Sequence, residues 1–171
     1  MRTPIVVDTN VLLVADGRSD YSRQCASSCA RRLQEIQSRH VVVLDSGREI
    51  LREYGQKLPR TQQPGVGYNF WKWLINTKGG DGHCVWVELS KHATRGYVEF
   101  PDHPDLLDFD PSDRKFVAVA AAHPERPEIV QAGDSRWWGW RVALESCGIK
   151  VAFPCEAELR RKWEDKFGPD V

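Results

Sequence analysis

Apolar positions fall into short β-branched runs separated by stretches with helical spacing. Ile5-Val6-Val7 is continuous and β-branched, as in a strand buried on both faces of a parallel sheet. Asp8-Thr9-Asn10 ends it, and Val11-Leu12-Leu13-Val14 follows. Between Ser22 and Ser38, Cys25, Cys29, Leu33 and Ile36 recur at helical intervals. Val41 to Leu44 predicts a second buried strand, with Asp45-Ser46 as the cap of a helix carrying Ile50, Leu51 and Tyr54. Pro59, Pro64, Gly65 and Gly67 predict a loop over 59–69, and Phe70 to Asn76 a helix broken by Lys78-Gly79-Gly80-Asp81-Gly82. Cys84 to Leu89 reads as a strand, and 91–111, with Pro101, Pro104 and Pro111, as an irregular connection. Ser112 caps a helix through Phe116, Val117, Ala120 and Ala121, which Pro124 and Pro127 end. Glu128 to Gln131 is a short strand, and Gly133-Asp134-Ser135 turns into a helix placing Trp137, Trp140, Leu144 and Cys147 on one face. Gly148 stops it. Ile149 to Phe153 is a last strand and Glu156 to Phe167 a polar helix.

Strands alternating with helices predict an α/β fold, a three-layer α/β/α arrangement around a mostly parallel sheet. With 171 residues the chain suits one domain, 1–171, with an elaborated segment at about 59–110. No apolar run approaches membrane-spanning length, and the apolar stretch before Asp8 is too short for a secretory signal. Five cysteines without a tight framework argue against a disulfide scaffold and for a reducing, cytoplasmic setting. The net charge is zero, unlike a protein that coats duplex nucleic acid. Its distribution is uneven. Arg18, Arg23, Arg31, Arg32, Arg39, Arg48, Arg52, Lys57 and Arg60 make the first third basic, a candidate nucleic-acid track. Glu99 to Asp113 holds six acids and no Lys or Arg. A solvated face is the simplest account of each run.

Four acids change the picture. Asp8 ends the first strand, Glu49 lies in the helix after the second, Asp113 opens the helix before the Ile129 strand, and Asp134 ends that strand. Ligands of open α/β sheets bind at the carboxyl ends of the strands. Carboxylates converging there repel one another unless a cation joins them. Hard oxygen donors select Mg²⁺ or Mn²⁺. Glu53, one turn beyond Glu49, is a rival for its role, as Asp110 is for that of Asp113. Asp8-Thr9-Asn10 also has an ordinary explanation, a helix cap after a strand.

In these residues the chain resembles the PIN domain. The opening signature stands as Ile5-Val6-Val7-Asp8-Thr9-Asn10-Val11-Leu12-Leu13. The later acids stand in Asp45-Ser46-Gly47-Arg48-Glu49-Ile50-Leu51, in Asp110-Pro111-Ser112-Asp113-Arg114-Lys115-Phe116, and in Ile129-Val130-Gln131-Ala132-Gly133-Asp134-Ser135-Arg136-Trp137. The pattern departs from the family at Ala132, where Thr is frequent, and at Arg136, where another Asp is frequent, which weakens the expectation of a second metal ion. The resemblance implies a Mg²⁺- or Mn²⁺-dependent endonuclease, acting on RNA in preference to DNA and leaving 5′-phosphate and 3′-hydroxyl ends. Asp8, Asp113 and Asp134 would be metal ligands, and Glu49 a ligand or the group orienting the attacking water. Asn10 and Thr9 would fix the Asp8 carboxylate. The family also offers a toxin role with an inhibitory antitoxin partner, and homodimers. A DNA-directed or structure-specific nuclease and a non-catalytic nucleic-acid-binding module are the alternatives.

Around this set, Arg136 is a candidate phosphate contact or a plain surface residue. Seven Trp are many for this length. Core packing is the expectation for most of them, including Trp71 and Trp73. Trp138, off the apolar face, is the best candidate to stack on a base. Cys25 and Cys29, and His83, Cys84, His92 and His103, lack zinc-site spacing and read as buried thiols and surface histidines. The chain has no Gly-rich phosphate loop and no nucleophile elbow.

Overall fold

A computed structural model describes residues 2–76 and 82–169. Five parallel strands form one sheet in the order β3-β2-β1-β6-β7: β1 (Thr3–Val7), β2 (His40–Asp45), β3 (Cys84–Val87), β6 (Ile129–Val130) and β7 (Val151–Ala152). The helices are α1 (Thr9–Ala15), α2 (Arg23–Arg39), α3 (Glu49–Lys57), α4 (Val66–Asn76), α5 (Arg114–Ala122), α6 (Arg136–Ser146) and α7 (Glu156–Phe167). The architecture is three-layer α/β/α, as the alternation of patterns predicts. From β1 the chain moves through β2 to β3 on one side, then crosses to β6 and β7 on the other. The strand order therefore reverses between β1 and β6, and a crevice opens at the carboxyl ends of such a pair. β1 and β6 pair in parallel, with Val6 opposite Ile129 and Val7 opposite Val130.

Local chemistry sets the helix starts. The Asp8 side chain accepts from Asn10 N at 3.1 Å and caps α1, and Ser22 accepts from Cys25 N at 3.1 Å and caps α2. The Asp45 carboxylate accepts from Glu49 N at 2.7 Å and Ile50 N at 2.9 Å, as the pattern predicts, although the chain enters α3 through Arg48 in the left-handed region, φ 61°. Asp110, not Ser112, caps the approach to α5: it accepts from Ser112 N at 2.9 Å and starts a 3₁₀ turn, Pro111–Asp113, on which α5 follows.

Two stretches differ from the pattern. The first loop ends at Gly65, because α4 already starts at Val66. There Gly67 touches α1 so closely that a Cβ would lie 2.2 Å from the Leu12 carbonyl oxygen. The connection after β3 holds a small antiparallel pair, β4 (Lys91–His92) with β5 (Gly96–Tyr97). Arg114 anchors this region. Its buried guanidinium donates to the carbonyls of Phe109, Arg95 and Leu107 at 3.0–3.1 Å, so the 95–109 chain is pinned to the first residue of α5. Of the break expected at Lys78 to Gly82, residues 78–81 lie outside the described residues. No helix among the described residues is long and apolar enough to cross a membrane.

The core is one cluster. Ile5, Val6 and Val7 of β1, Val42 to Leu44 of β2, Ile129 and Val130 of β6 and Phe116 to Ala120 of α5 are all buried. Cys25, Cys29, Leu33 and Ile36, the helical stripe read from the sequence, are buried as well.

Candidate metal centre

Asp8, at the end of β1, is buried, and its backbone N–H donates to Val130 O at 3.0 Å, which docks it against β6. Its surroundings form a cavity of about 180 Å³ lined by Asp8, Thr9, Asn10, Glu53, Lys57, Asp110, Ser112, Asp113, Asp134 and Arg136. Five carboxylates thus face two cations at the switch point of the sheet. The cavity brings together three of the four acids expected from the sequence, with Thr9, Asn10 and Arg136.

Glu49 is the exception. It points away from the cavity, where its carboxylate accepts from Lys91 Nζ at 2.8 Å and Tyr97 Oη at 2.6 Å. Partial burial raises its pKa, but these two hydrogen bonds outweigh burial and hold the group below the ordinary carboxylate value. Glu53, one helical turn on, takes the place in the cavity. It accepts from the Thr9 hydroxyl, and from Lys115 Nζ at 2.9 Å. Glu49 and Glu53 lie one turn apart on one face of α3, and their partners separate them: Lys91 and Tyr97 hold Glu49, Thr9 and Lys115 hold Glu53.

The supports of the other acids also differ in part from expectation. The Asp8 carboxylate is fixed by the backbone N–H of Asn10 rather than by the Asn10 side chain, so the cap and the site are the same group. Thr9 holds Glu53, not Asp8. Asp113 accepts from Trp137 Nε1 at 3.3 Å, and Asp110 from Ser112 and from Arg136 Nη2 at 2.8 Å. Arg136 also bonds Asp134 through Nε at 3.1 Å and Nη2 at 2.8 Å. Lys115 further donates to Ser112 O, tying α3 to the turn that carries Asp113. Lys115 and Trp137 were not singled out for these contacts. Their only sequence signal is spacing, two residues after Asp113 and three after Asp134.

The electrostatics follow from this crowding. Burial, and then the charge of Asp113, push the Asp8 carboxyl well above its ordinary value. Burial, joined by the charges of Asp110, Asp134 and Glu53, pushes Asp113 up to about 6 against the opposing Trp137 hydrogen bond. Asp110 is held below its ordinary value: burial acts upward, but the Ser112 and Arg136 hydrogen bonds prevail. Hydrogen bonds to Asp134 and Asp110 in turn raise the pKa of Arg136 above its ordinary value.

Two further expectations are corrected. Trp138 is 6% exposed, packs on Phe153 and carries the Arg141 guanidinium 3.6 Å from its ring centroid, so its faces are occupied and it does not line the cavity. α6 buries Trp137, Trp138, Trp140, Ala143 and Leu144, so Trp138 shares the buried side of the helix although the stripe read from the sequence leaves it out. Cys25 is not a thiol: it is joined to Cys155 by a disulfide across 130 residues. In the basic first third, Lys57 reaches the cavity, whereas Arg32 is engaged by Glu35 at 2.8 Å and Glu128 at 3.6 Å.

No protein-family model, no curated protein and no solved structure matches this chain.

Proposed function

We propose that this protein is a metal-dependent endonuclease of PIN type that hydrolyses phosphodiester bonds in RNA, in a cytoplasmic setting. The observation that carries the reading is the convergence of Asp8, Asp113, Asp134, Glu53 and Asp110 on one cavity at the sheet's switch point. The donor set fits a hard divalent ion. It is all carboxylate, and its buried members Asp8 and Asp113 have pKa values raised by burial and then by neighbouring acids, the mark of a site that gains from a cation. Asp8, Asp113 and Asp134 would hold Mg²⁺ or Mn²⁺, with Glu53 replacing Glu49 in the set. Such an ion, when bound, activates water and polarises the phosphate. The chain's own part is to fix the donors. Asn10 N holds one oxygen of Asp8, Thr9 and Lys115 orient Glu53, and Trp137 orients Asp113. Lys57 and Arg136 at the cavity offer positive charge to a phosphate.

A non-catalytic nucleic-acid-binding module is the second reading. The clasp of Arg136 on Asp134 and Asp110 favours it, because a built-in cation already neutralises part of the cluster. Labelled single-stranded RNA and DNA, incubated with Mn²⁺ or Mg²⁺ and with wild type, Asp8→Asn or Asp113→Asn, separate the readings. Metal-dependent cutting of RNA that both substitutions abolish supports the nuclease. Binding without cutting by folded protein supports the module, and preferential cutting of DNA would move the substrate.

A further inference from the structure

Cys25 and Cys29 stand one helical turn apart on α2, so their side chains share a face. Cys155 sits directly before α7, 126 residues beyond Cys29, and brings its sulfur to that face. One sulfur atom from each lies within 4.8 Å of the other two, and all three residues are buried. Cys25 and Cys155 share a disulfide, while Cys29 Sγ lies 3.9 Å from Cys155 Sγ. A structural disulfide requires only two of these residues. The third sulfur, at non-bonded distance in the same spot, is what a thiolate metal site requires: tetrahedral bonds of about 2.3 Å space sulfurs about 3.8 Å apart. The Cys29–Cys155 edge already has that spacing.

We propose that Cys25, Cys29 and Cys155 form a soft-metal site for Zn²⁺, which the Cys25–Cys155 disulfide closes by oxidation. A cavity of about 210 Å³, lined by Cys25 and Cys155 together with Ser22, Glu156, Glu158 and Arg161, gives a small thiol access to the disulfide. It also leaves room for water as the fourth ligand. Two equivalents of a low-molecular-weight thiol reduce the bond: two Cys thiols form, and the reductant leaves as its own disulfide. Three thiols then lose their protons to solvent as three zinc–sulfur bonds form. Thiolates select zinc over Mg²⁺ and Mn²⁺, so this site and the carboxylate cavity, which share no lining residue, take different ions. Bound zinc would join α2 to α7 as the disulfide does, so the joint between these helices persists in either redox state.

The test uses the full chain, reduced with dithiothreitol and freed of it without oxygen. Titration with Zn²⁺ in excess Mg²⁺ should saturate at one equivalent, and Co²⁺ should give thiolate-to-metal charge-transfer absorption. Cys29→Ser should weaken zinc binding about 100-fold or more, and Cys84→Ser should leave it unchanged. Asp8→Asn should leave the cobalt absorption unchanged, which keeps the result separate from the nuclease reading. Because Cys29→Ser carries a risk of misfolding, alkylation of wild type with mass-spectrometric readout supplies an independent check. Zinc should protect Cys25, Cys29 and Cys155 and leave Cys84 and Cys147 reactive. A reduced, folded chain that binds no zinc, or in which zinc protects none of the three, would overturn the proposal and leave a structural disulfide beside an inert thiol.

Discussion

Thr9 donates its hydroxyl to the Glu53 carboxylate, linking the residue after Asp8 to the second turn of α3. That bond, with Lys115 on the other oxygen, aims Glu53 into the acid cavity while Glu49 is engaged by Lys91 and Tyr97. Glu53→Gln is therefore expected to lower Mn²⁺ affinity or metal-dependent cleavage about 10- to 100-fold, the range seen when a metal-site support is lost. Glu49→Gln should stay within about twofold of wild type. Calorimetry with Mn²⁺ and single-turnover cleavage read both, and equal losses in the two variants would return Glu49 to the site.

The raised carboxyls make the metal-free protein lose stability as pH rises toward neutral. The folded state holds the Asp113 proton up to about 6, against 3.8 for an ordinary Asp, and burial carries Asp8 in the same direction. Across that interval the folded chain binds more protons than the unfolded one, so the contribution of these groups to stability is present at low pH and is lost as pH rises through the folded values. Thermal melts in chelator should show Asp8→Asn and Asp113→Asn gaining on wild type as pH increases from about 4 to 7. Asn at position 8 keeps an oxygen for the Asn10 cap, so Asp8→Asn should be more stable than metal-free wild type at neutral pH by about 1 kcal/mol. It should also lose its cleavage. Added Mn²⁺ should stabilise wild type more at pH 7 than at pH 5, and Asp8→Asn scarcely at all. A parallel pH dependence in wild type and both variants would remove these acids as its source.

Arg136 supplies the cavity with positive charge through Asp134 and Asp110. Removing it leaves the carboxylates more dependent on an external ion. Arg136→Ala should therefore bind Mn²⁺ several-fold more tightly, and on the proposed function its RNA affinity should fall with the loss of a positive charge at the cavity. Calorimetry for the metal and filter binding in the presence of Ca²⁺ for the RNA measure the two separately. A fall in metal affinity would mean that the guanidinium orders Asp134 more than it competes for it.

Gly133 brings Asp134 to β1. Its φ of +83° lies where side chains are strained, and a Cβ there would stand 2.9 Å from Asn10 Cβ and 3.1 Å from Val14 Cγ2. Gly133→Ala should destabilise the fold by about 2 kcal/mol or more, measured by urea unfolding, from backbone strain and crowding against α1 together.

The legible part of this protein is the part set by neighbours along the chain. The β-branched runs at Ile5 and Val41, the stripe from Cys25 to Ile36, and Asp8 and Asp134 beyond their strands follow from local pattern, and the parallel α/β/α fold follows from their alternation. Glu53 over Glu49 does not, because the two lie one turn apart on one face and partners distant in sequence, Thr9 and Lys115 for one and Lys91 and Tyr97 for the other, decide which enters the cavity. Trp138 is off the main stripe of α6, yet Phe153, just after the last strand, and Arg141, from the next turn of α6, enclose it. The Cys25–Cys155 bond spans 130 residues, and no spacing rule addresses a pairing of that separation without the fold in hand.

The order of the sheet, with β1 at its centre and β6 beside it, also governs when the cavity comes into being. Asp8 is synthesised well before its neighbour strand, which ends at residue 130, and its partner acid, at residue 134. A nascent chain halted anywhere before that point holds at most part of the carboxylate set. A protein that cuts RNA with this site would thus complete its carboxylate set only once Asp134 has been made.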